Sequence, residues 1–271
     1  MALKRFLTFG FVAAVLVACG DDRNSEIRPD GNTSLAKNVM SSSEGSCSGG
    51  EQSSSSVAYV DPSTVVKGTM TDNRDGKTYK TVKIGEQWWM SENLNYHSTK
   101  SCCYCNNGAD CTKYGGLYLW GSAMDGAGIW TTNGKGCDLF KKVCSPTYPV
   151  RGVCPEGWHL PDRTEWETLF AAVGGKTTAG KMLKYNSGWN SSGNGADAYF
   201  FAALPAGGRS YSVGDLGGEY YGEGLYACFW SSSENNSRYA YAMYLHYSND
   251  KATLRSSNKY DGFSVRCVKD E

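Results

Sequence analysis

Hydrophobic and polar residues recur at regular spacings along the chain, and these spacings predict its secondary structure. The clearest helix signal begins at Asp162, an N-cap residue followed three positions later by Glu165 in the arrangement of a capping box. Four apolar residues then recur at helical spacing, namely Trp166, Leu169, Phe170 and Val173. We therefore predict a short amphipathic helix with one buried face over residues 162–173.

Alternation of apolar and polar residues predicts several strands. Residues 78–84 alternate in this way, and four later runs are strand-like, namely 199–204, 226–231, 238–247 and 262–268. A second, shorter helix is predicted over residues 177–185, and another helical segment ends near Met124. Helices that come early, antiparallel strands that come late and long glycine-rich loops together indicate an α+β domain.

The N-terminus has the pattern of a secretory signal. Lys4 and Arg5 precede a mostly apolar stretch, residues 6–18, which is too short to cross a bilayer about 30 Å thick. The residues Leu16-Val17-Ala18-Cys19 resemble the lipobox of bacterial lipoproteins, in which the chain is cut before the cysteine and the cysteine is lipidated. We expect a signal peptide at 1–18, acylation of Cys19 with palmitate-like chains, and anchoring in the outer membrane, with the domain at the cell surface or facing the periplasm. The alternative is an ordinary cleavage site that happens to precede a cysteine.

Composition divides the rest of the chain into a tether and a domain. Residues 19–67 are polar and serine-rich, so this segment buries too little apolar surface to fold and is predicted to be a disordered tether. Residues 68–271 are rich in glycine, tyrosine and tryptophan and are long enough for one domain with a sizeable core. The 27 basic and 27 acidic residues balance, which excludes the strong positive field of a nucleic-acid-binding protein.

Eleven cysteines in an exported protein indicate disulfides. Seven of them are predicted to form bridges, namely Cys102, Cys103, Cys105, Cys111, Cys137, Cys144 and Cys228. Cys102, Cys103, Cys105 and Cys111 lie close together in one loop. Their expected partners include Cys137 and Cys144. Zinc or copper bound by this loop is the alternative, since thiolates select soft metals. Cys47 lies in the tether, and it pairs either with the domain or with a second chain.

A series of short motifs along the domain resembles the motifs of one protein family. In chain order they are Asp75-Gly-Lys-Thr-Tyr79, Trp89-Met-Ser-Glu-Asn-Leu94, Tyr114-Gly-Gly-Leu-Tyr118, Cys154-Pro-Glu-Gly-Trp-His-Leu-Pro161, Leu204-Pro-Ala-Gly207, Phe229-Trp-Ser-Ser232 and Ser264-Val-Arg-Cys267. They resemble the Fibrobacter succinogenes major paralogous domain, and the resemblance covers residues 72–268.

That family is in turn similar to the C-type-lectin-like fold, which is shared with the formylglycine-generating enzymes. The resemblance implies a loop-rich domain of two helices and mixed, mostly antiparallel strands, in which the N- and C-terminal strands meet. It also implies a disulfide between Cys154 and Cys267. The copper-dependent cysteine pair of the formylglycine-generating enzymes has no residue-by-residue counterpart here, so the resemblance does not extend to that activity.

Candidate sites in the sequence are few. His159 lies in a tight turn, where a hydrogen-bonded structural imidazole is expected, and no catalytic set is predicted. Five aromatic residues in glycine-rich loops are candidates for ligand contact, namely Trp130, Trp189, Tyr211, Tyr220 and Tyr221. A weaker candidate is a calcium site at Glu234, Asn235 and Asn236, although the sugar-binding motifs of C-type lectins are absent.

These observations predict a surface-displayed lipoprotein whose domain is a non-catalytic module that binds a glycan or protein partner, without a cofactor. The first alternative is a cysteine-dependent modifying enzyme of the formylglycine-generating type. The second is a purely structural protein of the cell envelope.

Overall fold

The structure is a computed structural model that describes residues 58–97, 103–104, 108–137, 143–210 and 218–271. Several predictions lie outside the described residues. They are the signal peptide, the lipidation of Cys19, the tether up to residue 57, the roles of Cys47, Cys102, Cys105 and Tyr211, and the role of the Cys103 side chain. Within the described part, the first strand already begins at Val66, two residues ahead of the boundary that composition indicated.

The described residues form short helices and many short strands. The strands are β1 Val66–Thr71, β2 Thr78–Ile84, β3 Gln87–Met90, β4 Cys103–Tyr104, β5 Leu117–Leu119, β6 Trp158–His159, β7 Gly208–Arg209, β8 Tyr220–Tyr221, β9 Tyr226–Glu234, β10 Tyr239–His246, β11 Ala252–Asn258, β12 Gly262–Ser264 and β13 Val268–Lys269. The helices are α1 Gly108–Tyr114, α2 Trp120–Ala123, α3 Arg163–Ala172 and α4 Ala179–Leu183, with a 3-10 turn at Pro62–Thr64. This content confirms an α+β fold.

Helix α3 is the predicted amphipathic helix. The Asp162 carboxylate accepts from the Glu165 N–H, and the Glu165 carboxylate accepts in return from the Asp162 N–H, so both halves of the capping box are present. The apolar residues at helical spacing are all buried. Local sequence therefore determines both where this helix begins and which face it buries.

The strands form two sheets. The smaller has the order β1-β2-β3-β13-β6, so the first and last strands of the described chain lie in the same sheet. The larger has the order β11-β10-β9-β12-β5-β4, with β7 and β8 attached beside β12. All named pairings are antiparallel except that of β12 with β9.

Strand β9 separates two hydrophobic clusters. Cys228 and Trp230 point into the cluster that surrounds Trp120 and Phe263, whereas Phe229 points into the cluster that contains α3. Strand β10 behaves in the same way, because both of its faces are packed. The alternation in residues 238–247 therefore predicted a strand correctly, although neither face of β10 is open to solvent along its full length.

Two disulfides are fully described. One joins Cys154 to Cys267, the pair that the family resemblance implies, and ties the turn before α3 to the chain just before β13. The other joins Cys137 to Cys144. These two residues were expected to pair with the cysteine-dense loop, and they pair with each other instead because they face one another across a short loop.

The prediction of a disulfide at Cys228 is wrong. Its side chain is fully buried in the β9–β10 core as a free thiol. Burial raises the pKa of this thiol, so it remains protonated and behaves as a small apolar side chain. Cys111, by contrast, is disulfide-bonded.

Candidate functional site

A cleft of ≈ 560 Å³ lies beside the smaller sheet. Its walls are the start of β2, the segment that follows β3, the C-terminal end of α1 and two parts of the loop between α4 and β7. This volume falls within the range of roughly 300 to 1,000 Å³ that small-ligand sites occupy. The cleft joins segments far apart in the sequence, and we call it the β2–α1 cleft.

The guanidinium of Arg266 forms part of the floor of the β2–α1 cleft. The side chain is fully buried, and all of its hydrogen bonds go to neutral oxygens. It donates to the side-chain oxygen of Asn93 from Nε at 3.1 Å, and its other donors reach the carbonyls of Met90 at 3.2 Å, Phe201, and Ala202 at 3.4 Å. Burial lowers the pKa of Arg266 to about 9.

Asn93 connects this floor to the α1 wall. Its side-chain amide donates to the Tyr114 carbonyl at 2.8 Å and to Ser264 Oγ at 3.2 Å while its oxygen accepts from Arg266. Gly115, the residue directly after Tyr114, has φ +73, and a Cβ atom added to it would lie 2.8 Å from the Cβ of Asn93. A glycine is therefore required at this position, and the motif that begins at Tyr114 reflects the close approach of the two backbones.

The opposite wall belongs to a strained loop. Among the described residues, most of the non-glycine positions with positive φ fall between residues 191 and 202, namely Ser191, Ser192, Asp197, Phe200 and Ala202. Such conformations cost on the order of 1 to 3 kcal/mol each and persist only where other contacts hold them. At Phe200 and Ala202 those contacts are bonds from Arg266 to the carbonyls of Phe201 and Ala202 and from Ser91 to the Phe200 carbonyl.

A partly buried carboxylate braces the same loop. The Asp197 side chain accepts from the Ala202 N–H at 2.7 Å. Burial raises the pKa of Asp197 to about 6, against the opposing influence of this hydrogen bond and of Arg266. The loop therefore sets a carboxylate near the buried cation without a direct salt bridge between them.

Lysine side chains line the mouth of the cleft. Lys80 Nζ lies 3.8 Å from Glu92, and Lys113 Nζ lies 3.9 Å from Glu223 and 4.3 Å from the ring centroid of Tyr114. Both pairs are largely exposed, so each contributes little to stability. Long, exposed pairs of this kind exchange partners readily.

His159 lies outside the β2–α1 cleft, between two carboxylates. Its Nδ1 lies 2.6 Å from Asp270 and its Nε2 lies 2.7 Å from Glu165. Burial opposes the charged form, but the two carboxylates outweigh it and raise the pKa of His159 above its ordinary value. With both nitrogens engaged, the imidazole joins the C-terminal residues to the capping box of α3, which fits the structural interpretation.

The four aromatic candidates that lie within the described residues do not line the cleft. Trp189 is only 5% exposed, and its Nε1 donates to the Ala203 carbonyl at 3.2 Å, so the prediction that it contacts ligand is wrong. Its loop is glycine-rich, but the indole folds back under that loop. Trp130 packs edge-on against Tyr96 at 5.7 Å, while Tyr220 and Tyr221 form β8.

The predicted calcium ligands are used internally. Glu234 accepts from buried Lys259 and from the Cys144 N–H at 2.9 Å. Asn235 donates to Ser256 at 2.8 Å, and the side-chain oxygen of Asn236 accepts from the backbone N–H groups of Arg238 and Tyr239. These bonds do not favour a calcium site there. The described part of the chain also contains no group of three or more His, Cys, Asp or Glu residues arranged to hold a metal.

Sequence reasoning did not identify the β2–α1 cleft. Arg266 was noted only as part of a motif, yet a lone arginine between Val265 and Cys267 in an apolar run is itself a signal for a buried functional or architectural cation. Lys80, Lys113 and Tyr185 carry no local signal. Their proximity depends on contacts between segments that are distant in the sequence.

No helix in the described segments combines the length and hydropathy needed to cross a membrane.

Neither a curated protein nor a solved structure matches the chain. Residues 82–269 match the model of the Fibrobacter succinogenes major domain, which is well over half of the chain. The matched region contains α3, both described disulfides and Arg266. The chain therefore belongs to the Fibrobacter succinogenes major domain family.

Proposed function

We propose that this protein is a surface-displayed lipoprotein whose domain binds a glycan or protein partner in the β2–α1 cleft without catalysis. The observation that carries the proposal is the rigid polar floor of the cleft. Asn93 and Arg266 are held by bonds to the surrounding backbone, so the floor is organised before any ligand arrives. Preorganisation of this kind reduces the entropic cost of binding.

The sequence supports the remaining parts of the proposal. The residues 16–19 resemble a lipobox, and the serine-rich segment after them is suited to hold a domain away from a membrane. A C-type-lectin-like fold is part of the same proposal. It is supported by the first and last described strands sharing one sheet and by the disulfide between Cys154 and Cys267.

The chemistry of the cleft favours binding over catalysis. None of the histidines lines it, and its charged side chains are either saturated, like Arg266, or paired at the mouth, like Lys80. A cysteine-dependent enzyme needs a thiolate that substrate can reach. Among the cysteines whose side chains are described, Cys228 is the free one, and it is fully buried with a raised pKa.

A binding screen with a cleft-blocking variant tests the proposal. The purified full chain is applied to arrays of polysaccharides and envelope proteins, and each ligand found is measured again with Ser187→Trp. Ser187 is exposed and lines the cleft, so an indole there is expected to obstruct it. Thr177→Trp is the matched control, because Thr177 is exposed but does not line the cleft.

We expect Ser187→Trp to abolish binding and Thr177→Trp to leave it unchanged. The absence of any ligand on either array would contradict a binding function. A ligand that binds Ser187→Trp as well as the unaltered chain would place the site elsewhere.

A further inference from the structure

The charges that line the β2–α1 cleft are unbalanced. Four cationic side chains line it, namely Lys77, Lys80, Lys113 and Arg266, whereas its lining contains one carboxylate, that of Glu92. Three further carboxylates act on these cations from outside the lining: Asp75 and Glu223 pair with two of the lysines, and Asp197 lies near Arg266. A cleft with a surplus of one sign concentrates ligands of the opposite sign.

The lysines at the mouth are held loosely by their own carboxylates. Lys80 and Glu92 are 75% and 43% exposed, and Lys113 and Glu223 are 58% and 56% exposed. At separations of 3.8 and 3.9 Å these pairs are longer than a direct hydrogen bond. A carboxylate on a ligand can therefore take the place of either protein carboxylate at little cost.

Arg266 adds a positive charge that lies beneath the same cleft. Its donors reach carbonyl and amide oxygens, and the carboxylates of Asp197 and Glu92 act on its charge only from beyond hydrogen-bond distance. No carboxylate in the described residues lies within salt-bridge distance of it. Because a buried charge is stabilised by an opposite charge nearby, an anionic ligand above the floor is favoured.

The neutral groups of the lining favour a saccharide as the carrier of that negative charge. Hydroxyl and amide side chains surround the cleft, namely Thr78, Asn95, Thr112, Tyr185 and Ser187. A peptide that binds by strand addition needs an open sheet edge, but β2 is paired with β1 on one side and β3 on the other. The cleft therefore offers contacts to a hydroxyl-rich ligand and no edge to an extended peptide.

We infer that the β2–α1 cleft selects saccharides that carry a carboxylate, with Lys80 and Lys113 contacting the acid group at the mouth. This inference rests on the proposed binding function and names the ligand class of the same site. Neutral sugars are expected to bind more weakly because they leave the cationic surplus without a counter-charge.

Matched trisaccharides test the inference by calorimetric titration of the full chain. The acidic set comprises trimers of galacturonate, glucuronate and mannuronate, and the neutral set comprises the corresponding trimers of galactose, glucose and mannose. A triglutamate peptide is the third probe. We expect at least one acidic trimer to bind at least tenfold more tightly than its neutral counterpart and than the peptide, and its affinity to fall as salt rises.

Charge variants then locate the contact. Lys80→Gln and Lys113→Gln are each expected to weaken binding of the acidic trimer roughly three- to tenfold, in line with an exposed charge contact. Lys83→Gln is the control, because Lys83 lies in the same strand as Lys80 but outside the cleft. Glu92→Gln is expected to tighten binding, since it removes the competing carboxylate, whereas a merely structural role would weaken binding.

The outcomes separate this inference from the proposed function. Equal affinity for acidic and neutral trimers, with sensitivity to Ser187→Trp, overturns acid selection and leaves a binding cleft. Tighter binding of triglutamate overturns the saccharide class. Binding of no trimer overturns the inference, and the array screen with its blocking variant then decides the proposed function independently.

Discussion

Removal of the Cys154–Cys267 disulfide is expected to destabilise the protein much more than removal of the Cys137–Cys144 disulfide. The two bridges close very different lengths of chain, with sequence separations of 113 and 7 residues. A disulfide stabilises mainly by restricting the unfolded chain, so the longer loop gives the larger effect. The two loops do not overlap along the sequence, and their contributions are therefore treated as independent.

The chain-entropy model gives the size of the difference. It assigns about 5 kcal/mol to a loop of 113 residues and about 2.4 kcal/mol to a loop of 7 residues. The free energies of unfolding of the two variants are thus expected to differ by about 2.5 kcal/mol. Both cysteines of the long-range bridge are fully buried, so the sulfur atoms lost there add to the difference in the same direction.

Urea unfolding of the full chain under non-reducing conditions measures this difference. Cys154→Ala/Cys267→Ala is compared with Cys137→Ala/Cys144→Ala, and alanine is used in both so that no new polar group enters the core. Equal losses of stability in the two variants, or a larger loss in the short-loop variant, would contradict this expectation. Either result would mean that local packing, and not loop length, sets the contribution of these bridges.

Four further substitutions test charged groups, three of which are buried or partly buried. Glu234→Ala leaves the buried ammonium of Lys259 without its carboxylate, and we expect the free energy of unfolding to fall by about 3 to 5 kcal/mol in urea titrations. Glu86→Ala breaks only an exposed pair and is expected to cost less than about 1 kcal/mol. Burial raises the pKa of Asp197 from 3.8 to about 6, so its contribution to stability is complete at acid pH and is lost as pH rises through this window; Asp197→Asn is expected to flatten the urea stability profile there. The raised pKa of His159 likewise gives stability that is complete below its ordinary value of 6.5 and is lost as pH rises through the folded value, and His159→Gln is expected to remove that loss.

Each of these expectations has a clear contrary result. Equal losses for Glu234→Ala and Glu86→Ala would show that the buried pair is not needed to compensate Lys259. Unaltered pH profiles in Asp197→Asn or His159→Gln would assign the corresponding pH dependence to other groups.

Elements that depend on neighbouring residues were predictable from the sequence. The capping box at Asp162 and Glu165 and the apolar spacing behind it determine α3 without help from distant residues. Residues 78–84 likewise form β2 with the predicted bounds. Strand β11 was missed because its threonine and serine residues give no strong alternation between apolar and polar positions.

Residues 199–204 show where periodicity misleads. Tyr199, Phe201 and Ala203 are fully buried and Phe200 is 43% exposed, which is the alternation of a strand. The segment is nevertheless irregular, with positive φ at Phe200 and Ala202. Period-two burial reports which side chains face the core, but it does not supply a hydrogen-bonding partner. Here the carbonyls of Phe201 and Ala202 accept from Arg266, which lies more than sixty residues away in the sequence.

The candidate site was the least predictable part of the molecule. Its lysines and two of its threonines belong to β2, the residue before it and α1, Tyr185 and Ser187 belong to the loop after α4, and its buried cation belongs to the segment between β12 and β13. No local pattern relates these segments, because sheet pairing and the Cys154–Cys267 bridge bring them together. Aromatic residues in glycine-rich loops seemed the better candidates, but composition does not tell whether a ring such as Trp189 turns outward or inward.

Hydrogen–deuterium exchange of the full chain, with and without a ligand from the array screen, tests the central claim most directly. If the β2–α1 cleft is the binding site, ligand is expected to slow amide exchange in residues 91–95, 111–115 and 185–188, which form its walls. Residues 248–251, an exposed turn away from the cleft, are expected to exchange at an unchanged rate. Protection confined to other surfaces, with no slowing in the three wall segments, would contradict the assignment of this cleft as the functional site.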